Sequence, residues 1–120
     1  MTADAVQRTA VPYEEVDGFQ PFSDWLDSIS DVNTRGRIDA RIRKMEQGGL
    51  GDHWHLGEGV YEARFDFGPG WRVYFGFDRE RIILLHGGTK KRQQGIIDKA
   101  KLFWTNYRQL KGVQRGKEKT

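Results

Sequence analysis

Three consecutive cations, Lys90, Lys91 and Arg92, follow the apolar run RIILL of residues 81–85 and are separated from it by the short stretch HGGT. Side-chain packing gives no reason for three charges at the end of a buried strand. Lysine and arginine bind phosphate, and the guanidinium stays protonated and can form two parallel hydrogen bonds with it. The three cations are therefore candidates for binding a phosphate backbone, although a solubilising loop would have the same composition.

A second set of charges alternates along residues 59–77, GVYEARFDFGPGWRVYFGF, a pattern that predicts two strands joined by a tight Gly-Pro-Gly turn. If Phe67 faces Trp71 across that turn, the odd-numbered residues share one side of the sheet, and their apolar character assigns that side to the core. The even-numbered residues then lie together on the opposite side: Glu62, Arg64, Asp66, Arg72 and Tyr74. In this register Asp66 lies opposite Arg72, and Arg64 lies opposite Tyr74.

We expect this polar sheet face to be open and to end beside the three cations. A sheet that presents arginine, lysine and tyrosine can hold an RNA backbone and stack a base. In this hypothesis Lys90 and Arg92 bind RNA, and Tyr74 stacks on a base. A structural alternative remains, in which Arg72 simply pairs with Asp66, an interaction worth well under about 1 kcal/mol when exposed.

Cleavage of RNA without a metal requires attack of the 2′-OH on the adjacent phosphate, a base, an acid and cations that stabilise the charged phosphorane. Arg72 and Arg64 suit charge stabilisation. His86 could act as base because histidine titrates near neutral pH, and Lys91 could do so because adjacent cations favour the neutral form of a lysine. A histidine at the end of an apolar strand is also commonly a structural hydrogen-bonding residue.

A predicted helix carries a further group of cations at i, i+4 and i+7 spacing: Arg37, Arg41 and Lys44. They would form a basic ridge about 10 Å long on one flank of that helix. The ridge is a second candidate for RNA binding, and a solvated helix face is the structural alternative.

Residues 51–59, GDHWHLGEG, contain an H-x-H pair that could suggest a metal site with Asp52 or Glu58 as a third ligand. The stretch is rich in glycine, so we expect an ordinary loop and no metal, although His53 or Trp54 could contact RNA. The spacing of a nucleotide-binding Walker loop is absent around GGTKK. We therefore expect no cofactor.

Hydrophobic periodicity predicts the other elements: a strand at 11–16, helices at 22–29 and from residue 30 or 31 to Gly48, a strand at 81–88 and a helix at 93–110. This order indicates an α+β fold, with a small antiparallel and partly mixed four-stranded sheet, two N-terminal helices packed on one face and a C-terminal helix. One domain is expected to span residues 11–110, between a flexible N-terminus (1–10) and a flexible basic tail (111–120).

Composition indicates an ordinary globular protein. The 120 residues carry a net charge of +3 and no cysteine. Residues 1–34 hold one arginine and seven acidic residues, a net charge of −6 that leaves +9 for the rest of the chain. This regional basicity suits a polyanionic partner. No apolar run approaches the roughly 18 residues of a membrane span, and residues 1–10 lack the pattern of a secretory signal, so a cytoplasmic location without membrane contact is expected.

The stretches GVYEARFDFGPGWRVYFGF and RIILLHGGTKKRQQGIIDKAK resemble the core of the RelE/ParE toxin superfamily, and most of all its HigB-like branch of addiction module killer proteins. The resemblance covers roughly residues 11–109. It implies a RelE-like fold and a type II toxin that enters the ribosome and cuts messenger RNA. It also implies a cognate antitoxin, often a helix-turn-helix DNA-binding protein. The toxin would then contact operator DNA only through this antitoxin.

In this resemblance the arginine that contacts the scissile phosphate in RNA-cutting relatives corresponds to Arg72, a further strand arginine to Arg64, and the basic loop position to Lys91 or its neighbours. At the position of a tyrosine in the final helical segment of those relatives, this chain has Ile97. The superfamily also includes toxins that poison DNA gyrase by contact. A non-catalytic toxin or binding module of the same fold is therefore the alternative to a metal-independent endoribonuclease.

Overall fold

The computed structural model describes residues 6–118, with side chains to residue 112. Five strands and three helices follow in the order β1 (Thr9–Pro12), α1 (Pro21–Ser28), α2 (Val32–Glu46), β2 (His53–Gly57), β3 (Val60–Arg64), β4 (Trp71–Asp78), β5 (Arg81–Thr89) and α3 (Gln93–Glu118). A single 3₁₀ turn, Lys90–Arg92, joins β5 to α3 in this part of the chain.

Local sequence explains where the N-terminal helices begin and end. Pro21, whose fixed φ suits the first helical turn, starts α1. The carboxylate of Asp31 caps α2 by accepting a hydrogen bond from the backbone N–H of Asn33. α2 ends before Gly48, whose φ of 101° is strained for any residue with a side chain.

The strands form one mixed sheet in the order β1-β5-β4-β3-β2. β1 runs parallel to β5, and the other neighbours are antiparallel. Helices cover both faces. One core joins α1 and α2 to the sheet, and its buried residues include Phe22, Ile38, Ile42, Met45, Val73 and Phe75. The other core joins α3 to the opposite face, and its buried residues include Val60, Tyr74, Ile83, Leu85, Ile97 and Trp104.

Two strand glycines let a tryptophan from each layer approach the sheet. A Cβ on Gly87 would lie 2.2 Å from the ring of Trp25 in α1, and a Cβ on Gly76 would lie 2.7 Å from the ring of Trp104 in α3. Neither distance is compatible with a side chain at these glycines. The three layers therefore pack closely because these two strand positions have no side chain.

The predicted α+β class, with a mixed sheet, is confirmed, but two features of the prediction are wrong. The sheet has five strands rather than four, because His53–Gly57 pairs with β3 instead of forming a loop. The second face of the sheet is not open, because α3 packs on it. The apolar stripe of α3 needs a surface to cover, and the even-numbered residues Val60 and Tyr74 supply one.

The predicted strand register is also wrong, by two residues. Arg64 pairs with Arg72, and Glu62 pairs with Tyr74. The connection is longer than a Gly-Pro-Gly turn, since the N–H of Phe65 donates to the carbonyl of Trp71. A register shift of two residues keeps every side chain on its predicted face of the sheet but changes its cross-strand partner.

The first strand and the last helix extend into the two segments that are predicted to be flexible. β1 begins at Thr9, inside the predicted N-terminal segment, and α3 continues to Glu118, through most of the predicted tail. Residues 1–5 and 119–120 of these two segments lie outside the described residues.

Candidate nucleic-acid interface

A buried carboxylate organises the strand arginines. Glu62 on β3 is fully buried (0% exposed). Its Oε1 accepts a hydrogen bond of 2.7 Å from Nε of Arg64 and lies 3.9 Å from Nε of Arg72. Its Oε2 accepts a hydrogen bond from the side-chain amide of Gln93, at the start of α3. An isolated buried carboxylate would be costly, so these partners stabilise Glu62. Glu62 in turn holds the guanidinium of Arg64 by a hydrogen bond and attracts that of Arg72.

The two arginines differ in access to solvent. The side chain of Arg64 is 36% exposed, whereas that of Arg72 is 10% exposed. Nη1 of Arg72 donates to the carbonyl of Trp71 at 3.0 Å and, at the longer distance of 3.5 Å, to that of Phe65. Arg64 is thus available to a large ligand, while Arg72 contributes its charge from just below the surface.

Trp54 on β2 provides an aromatic platform beside Arg64. The residue is 53% exposed, and the guanidinium carbon of Arg64 lies 4.7 Å from the centre of one of its rings. The indole N–H donates to a carboxylate oxygen of Asp52 at 3.0 Å, which fixes the ring orientation. An exposed indole next to a guanidinium is a surface on which a nucleic-acid base can stack.

Lys90, Lys91 and Arg92 form the 3₁₀ turn that precedes α3, and all three side chains are exposed. The N–H of Lys90 donates to the carbonyl of Gly70 at 2.9 Å. A Cβ on Gly70 would lie 3.1 Å from Cβ of Lys90 and 3.6 Å from Nη1 of Arg72. The turn therefore lies next to Arg72, and the N-terminal end of α3 adds a positive potential there.

Tyr74 does not have the position that the sequence predicted. It is fully buried in the core beneath α3, so a base cannot stack on it. Burial raises the pKa of its hydroxyl, and the negative charge of Glu62 raises it further. Ile97, at the position of the family tyrosine, is buried in the same core.

His86 lies in a different cleft, between α1 and α3. Its ring packs 5.9 Å from that of Phe103, and the cleft also contains Trp25 and Lys99. Burial and the charge of Lys99 lower the pKa of the imidazole, so it is neutral at physiological pH. His86 thus lines a cleft other than the groove that Arg64 borders, although on β5 it lies directly opposite Tyr74 of β4.

The predicted basic ridge lines a groove of about 450 Å³ between α2 and the start of β2, which Arg64 also borders. Arg41 is turned inward, and its guanidinium donates to the carbonyls of Leu50, Asp52 and Arg64. Burial lowers its pKa. Arg37 lies over the ring of Phe67 at 3.5 Å, and Lys44 is exposed. Arg41 is thus a structural link, while Arg37 and Lys44 remain available to a ligand.

The H-x-H pair packs against Tyr61. The ring centres of His53 and His55 lie 6.3 and 4.7 Å from that of Tyr61, and each imidazole also has a backbone hydrogen-bond partner. Among the side chains that the structure describes, residues 6–112, no group of three or more histidine or carboxylate side chains is placed to hold a metal ion. The pair is a local structural feature of β2.

Together these contacts place a partly exposed guanidinium, an exposed indole and three exposed cations around the N-terminal end of α3. Such a surface can bind a phosphate backbone and stack a base. Sequence reasoning found the cations but gave Trp54 no central role. The alternation in HWHLG could have indicated a strand that places Trp54 opposite Glu62.

In the described part of the chain, the structure contains no helix that is both long and apolar enough to cross a membrane.

Comparison with known proteins identifies a family and a bacterial relative. The model of the family described as Phage derived protein Gp49-like (DUF891) matches residues 24–102. An uncharacterized protein of Haemophilus influenzae is 37% identical over 83 residues, which cover 68% of this chain and 84% of that protein. No solved structure matches the chain at a significant level. The family match includes Trp54, both strand arginines and the three cations before α3.

Proposed function

Because the chain belongs to the Phage derived protein Gp49-like family, a toxin-like family of type II toxin–antitoxin systems, we propose that it is a toxin that cleaves messenger RNA on the ribosome. The likeness of its strands to the HigB-like branch of the RelE/ParE superfamily supports the same proposal. Family membership implies an antitoxin partner. Contact with operator DNA through that antitoxin, and a cytoplasmic location, are parts of the proposal.

The observation that carries this proposal is the arrangement of Arg64 on Trp54. The guanidinium is anchored from below by Glu62 and keeps part of its surface exposed beside the indole. A nucleotide whose base stacks on Trp54 would place its phosphate near the cations of Arg64 and of the turn before α3. RNA in an unpaired form suits this surface, because its bases are free to stack.

Within this site the residues take different roles in the proposed reaction. Arg64 contacts the phosphate and stabilises the charge that develops on it. Arg72, whose side chain is 10% exposed, strengthens the positive field and links the two ends of the β3–β4 connection through the carbonyls of Phe65 and Trp71. Lys91 is the candidate base for the 2′-OH, because it is exposed in the turn next to these arginines. The departing 5′-oxygen takes its proton from solvent water, which reaches this open surface. Lys90 and Arg92 bind neighbouring phosphates.

The test is primer extension on a reporter message from cells that briefly express the protein. We compare the wild type with the double variant Arg64→Ala, Lys91→Ala and with Arg43→Ala. Arg43 is a matched control, because it is exposed on α2 and pairs with Asp39, away from the site. The proposal requires translation-dependent cuts with the wild type and the control, and loss of these cuts in the double variant. Cuts that persist in the double variant would place the reaction elsewhere.

A second function, poisoning of DNA gyrase by contact, is favoured by one observation. Tyr74 is buried and His86 lies in another cleft, so neither supplies an acid or base beside the arginines. A toxin that binds without cleaving needs neither group. Growth arrest with intact messages and stalled DNA replication would support this second function and would exclude the nuclease.

A further inference from the structure

The structure contains an apolar trough that the proposed RNA surface does not use. Large exposed apolar side chains line two adjoining clefts on one side of α3, and Glu15 borders both clefts. Four such side chains are found there: Val16, Phe19, Leu102 and Leu110. They account for most of the exposed large apolar residues in the described part of the chain. Apolar side chains clustered in this way mark a surface that binds another molecule.

One stripe of α3 forms a wall of the trough, from Lys99 through Leu102 and Asn106 to Leu110. These residues follow helical spacing, and the stripe is about 16 Å long by the rise of a helix. The loop before α1 and α1 itself form the facing wall. The volumes of the two clefts are about 570 and 310 Å³, enough for several apolar side chains. A segment of about three helical turns would fill the trough.

The facing wall is acidic. Glu15 and Asp24 border the trough, and further exposed carboxylates lie on the same loop and helix: Glu14, Asp17 and Asp27. Lys99 contributes a cation from α3. This acidic rim has the opposite sign to the surface around Arg64 and Lys91. A partner that fits it has apolar anchors and basic flanking residues, because complementary charges favour association.

We propose that the trough binds an amphipathic segment of the antitoxin, with apolar side chains on one face and lysine or arginine beside them. This proposal rests on the proposed toxin function for the existence of that partner. Leu102 lies nine residues beyond Gln93 on α3, which corresponds to about 14 Å, and Leu110 lies farther still. An antitoxin bound here leaves Arg64 and Lys91 uncovered and silences the toxin by its bulk, which prevents entry into the ribosome.

Binding of the purified antitoxin encoded with the toxin tests the site. We measure its Kd for the wild type, Leu102→Asp and Val32→Asp by isothermal titration calorimetry. Leu102 is 57% exposed, so its replacement leaves the core intact, and circular dichroism verifies the fold. Val32 is a matched control, an exposed apolar residue at the start of α2 outside the trough. We expect Kd to rise at least 100-fold for Leu102→Asp and less than threefold for the control.

Charge reversal provides a second variant that keeps every apolar contact. Asp24→Lys, at an exposed position on the rim, should weaken antitoxin binding about tenfold at low salt and much less at high salt. The proposal would be overturned if Asp24→Lys and Leu102→Asp both bound the antitoxin with the same Kd as the wild type. The proposal would also be overturned if the wild type formed dimers and Leu102→Asp were monomeric. That result would show that a second copy of the chain occupies the trough.

The same preparations separate this proposal from the nuclease proposal. The variant Arg64→Ala, Lys91→Ala should bind the antitoxin as tightly as the wild type, and the toxin–antitoxin complex should still bind a single-stranded RNA 12-mer. Loss of antitoxin binding in that variant would place the antitoxin on the cationic surface instead. In cells, Leu102→Asp should still arrest growth and resist the antitoxin. If the wild type does not arrest growth, the proposed toxin function is contradicted. The docking site is still decided by the measured Kd values, which do not depend on growth arrest.

Discussion

Arg64 and Arg72 lie directly opposite each other on neighbouring strands, and the buried carboxylate of Glu62 interacts with both. Like charges in cross-strand positions repel. Here the repulsion is offset because Glu62, two residues before Arg64 on the same strand, lies on the same face. The arrangement keeps two guanidinium groups close together with one balancing carboxylate, so a net positive charge remains for an anionic ligand.

The first prediction concerns this carboxylate. Glu62→Gln removes the buried negative charge and leaves the two guanidinium groups facing each other. We expect the free energy of unfolding to fall by about 3 kcal/mol, as for other buried ion pairs that lose one partner. Urea denaturation measures the change, and Glu80→Gln, an exposed residue in the β4–β5 turn, is the control. Equal stability of the two variants would contradict a structural role for Glu62.

The second prediction concerns the aromatic platform. Trp54→Ala should weaken binding of a short single-stranded RNA by about 10- to 100-fold, since stacking contributes about 1–3 kcal/mol per base. Trp54→Phe should retain most of the affinity. Fluorescence anisotropy at fixed salt measures both. The ring is exposed, so neither change should alter the melting temperature by more than a few degrees, and unchanged RNA affinity in Trp54→Ala would exclude the platform.

The third prediction separates Tyr74 from the chemistry. Because Tyr74 is buried under α3, Tyr74→Phe should retain cleavage within about twofold of the wild type. Tyr74→Ala should instead lower the free energy of unfolding by about 3–5 kcal/mol, as expected for loss of a large core side chain. A folded Tyr74→Phe variant without cleavage would restore a direct role for the hydroxyl.

The fourth prediction concerns pH and His86. The folded-state pKa of His86 is lowered from its ordinary value of 6.5, so the unfolded chain takes up the proton first as pH falls. Its contribution to stability is therefore present above about pH 6.5 and is lost as the pH falls towards the folded-state pKa. Thermal melts between pH 7.5 and 5 should show this loss in the wild type and a smaller one in His86→Gln. The pKa of the Asp78 carboxyl is lowered from 3.8, so its contribution to stability is lost only below about pH 4, outside the range of these melts.

The fifth prediction compares two glycines. Gly87→Ala places a methyl group against Trp25 and should destabilise the fold by about 1–3 kcal/mol. Gly36→Ala lies in α2 with open space around it and should stabilise the fold by about 0.5–1 kcal/mol. Thermal denaturation of both variants measures the difference. A stable Gly87→Ala variant would show that α1 can move away from β5.

Much of the fold could be predicted from the sequence, because its signals are local. The apolar spacing of Ile38, Ile42 and Met45 indicated α2, and the run RIILL indicated β5. The helical pattern of α3 was also visible. The candidate site was less accessible to such reasoning. The packing of α3 over Tyr74 depends on which sheet face the last helix covers, and periodicity along one element does not specify this.

The sequence by itself determined which residues share a face, because side chains alternate along a strand whatever its register. It also determined that cations follow the last strand. Only the tertiary structure decided that Arg64 faces Arg72, that Glu62 joins them and that Trp54 lies beside Arg64. These relationships depend on the length of the connection between β3 and β4 and on an additional edge strand. Both are set by how neighbouring strands pair across hairpins, and the alternation of side chains along one strand does not specify which residues face each other.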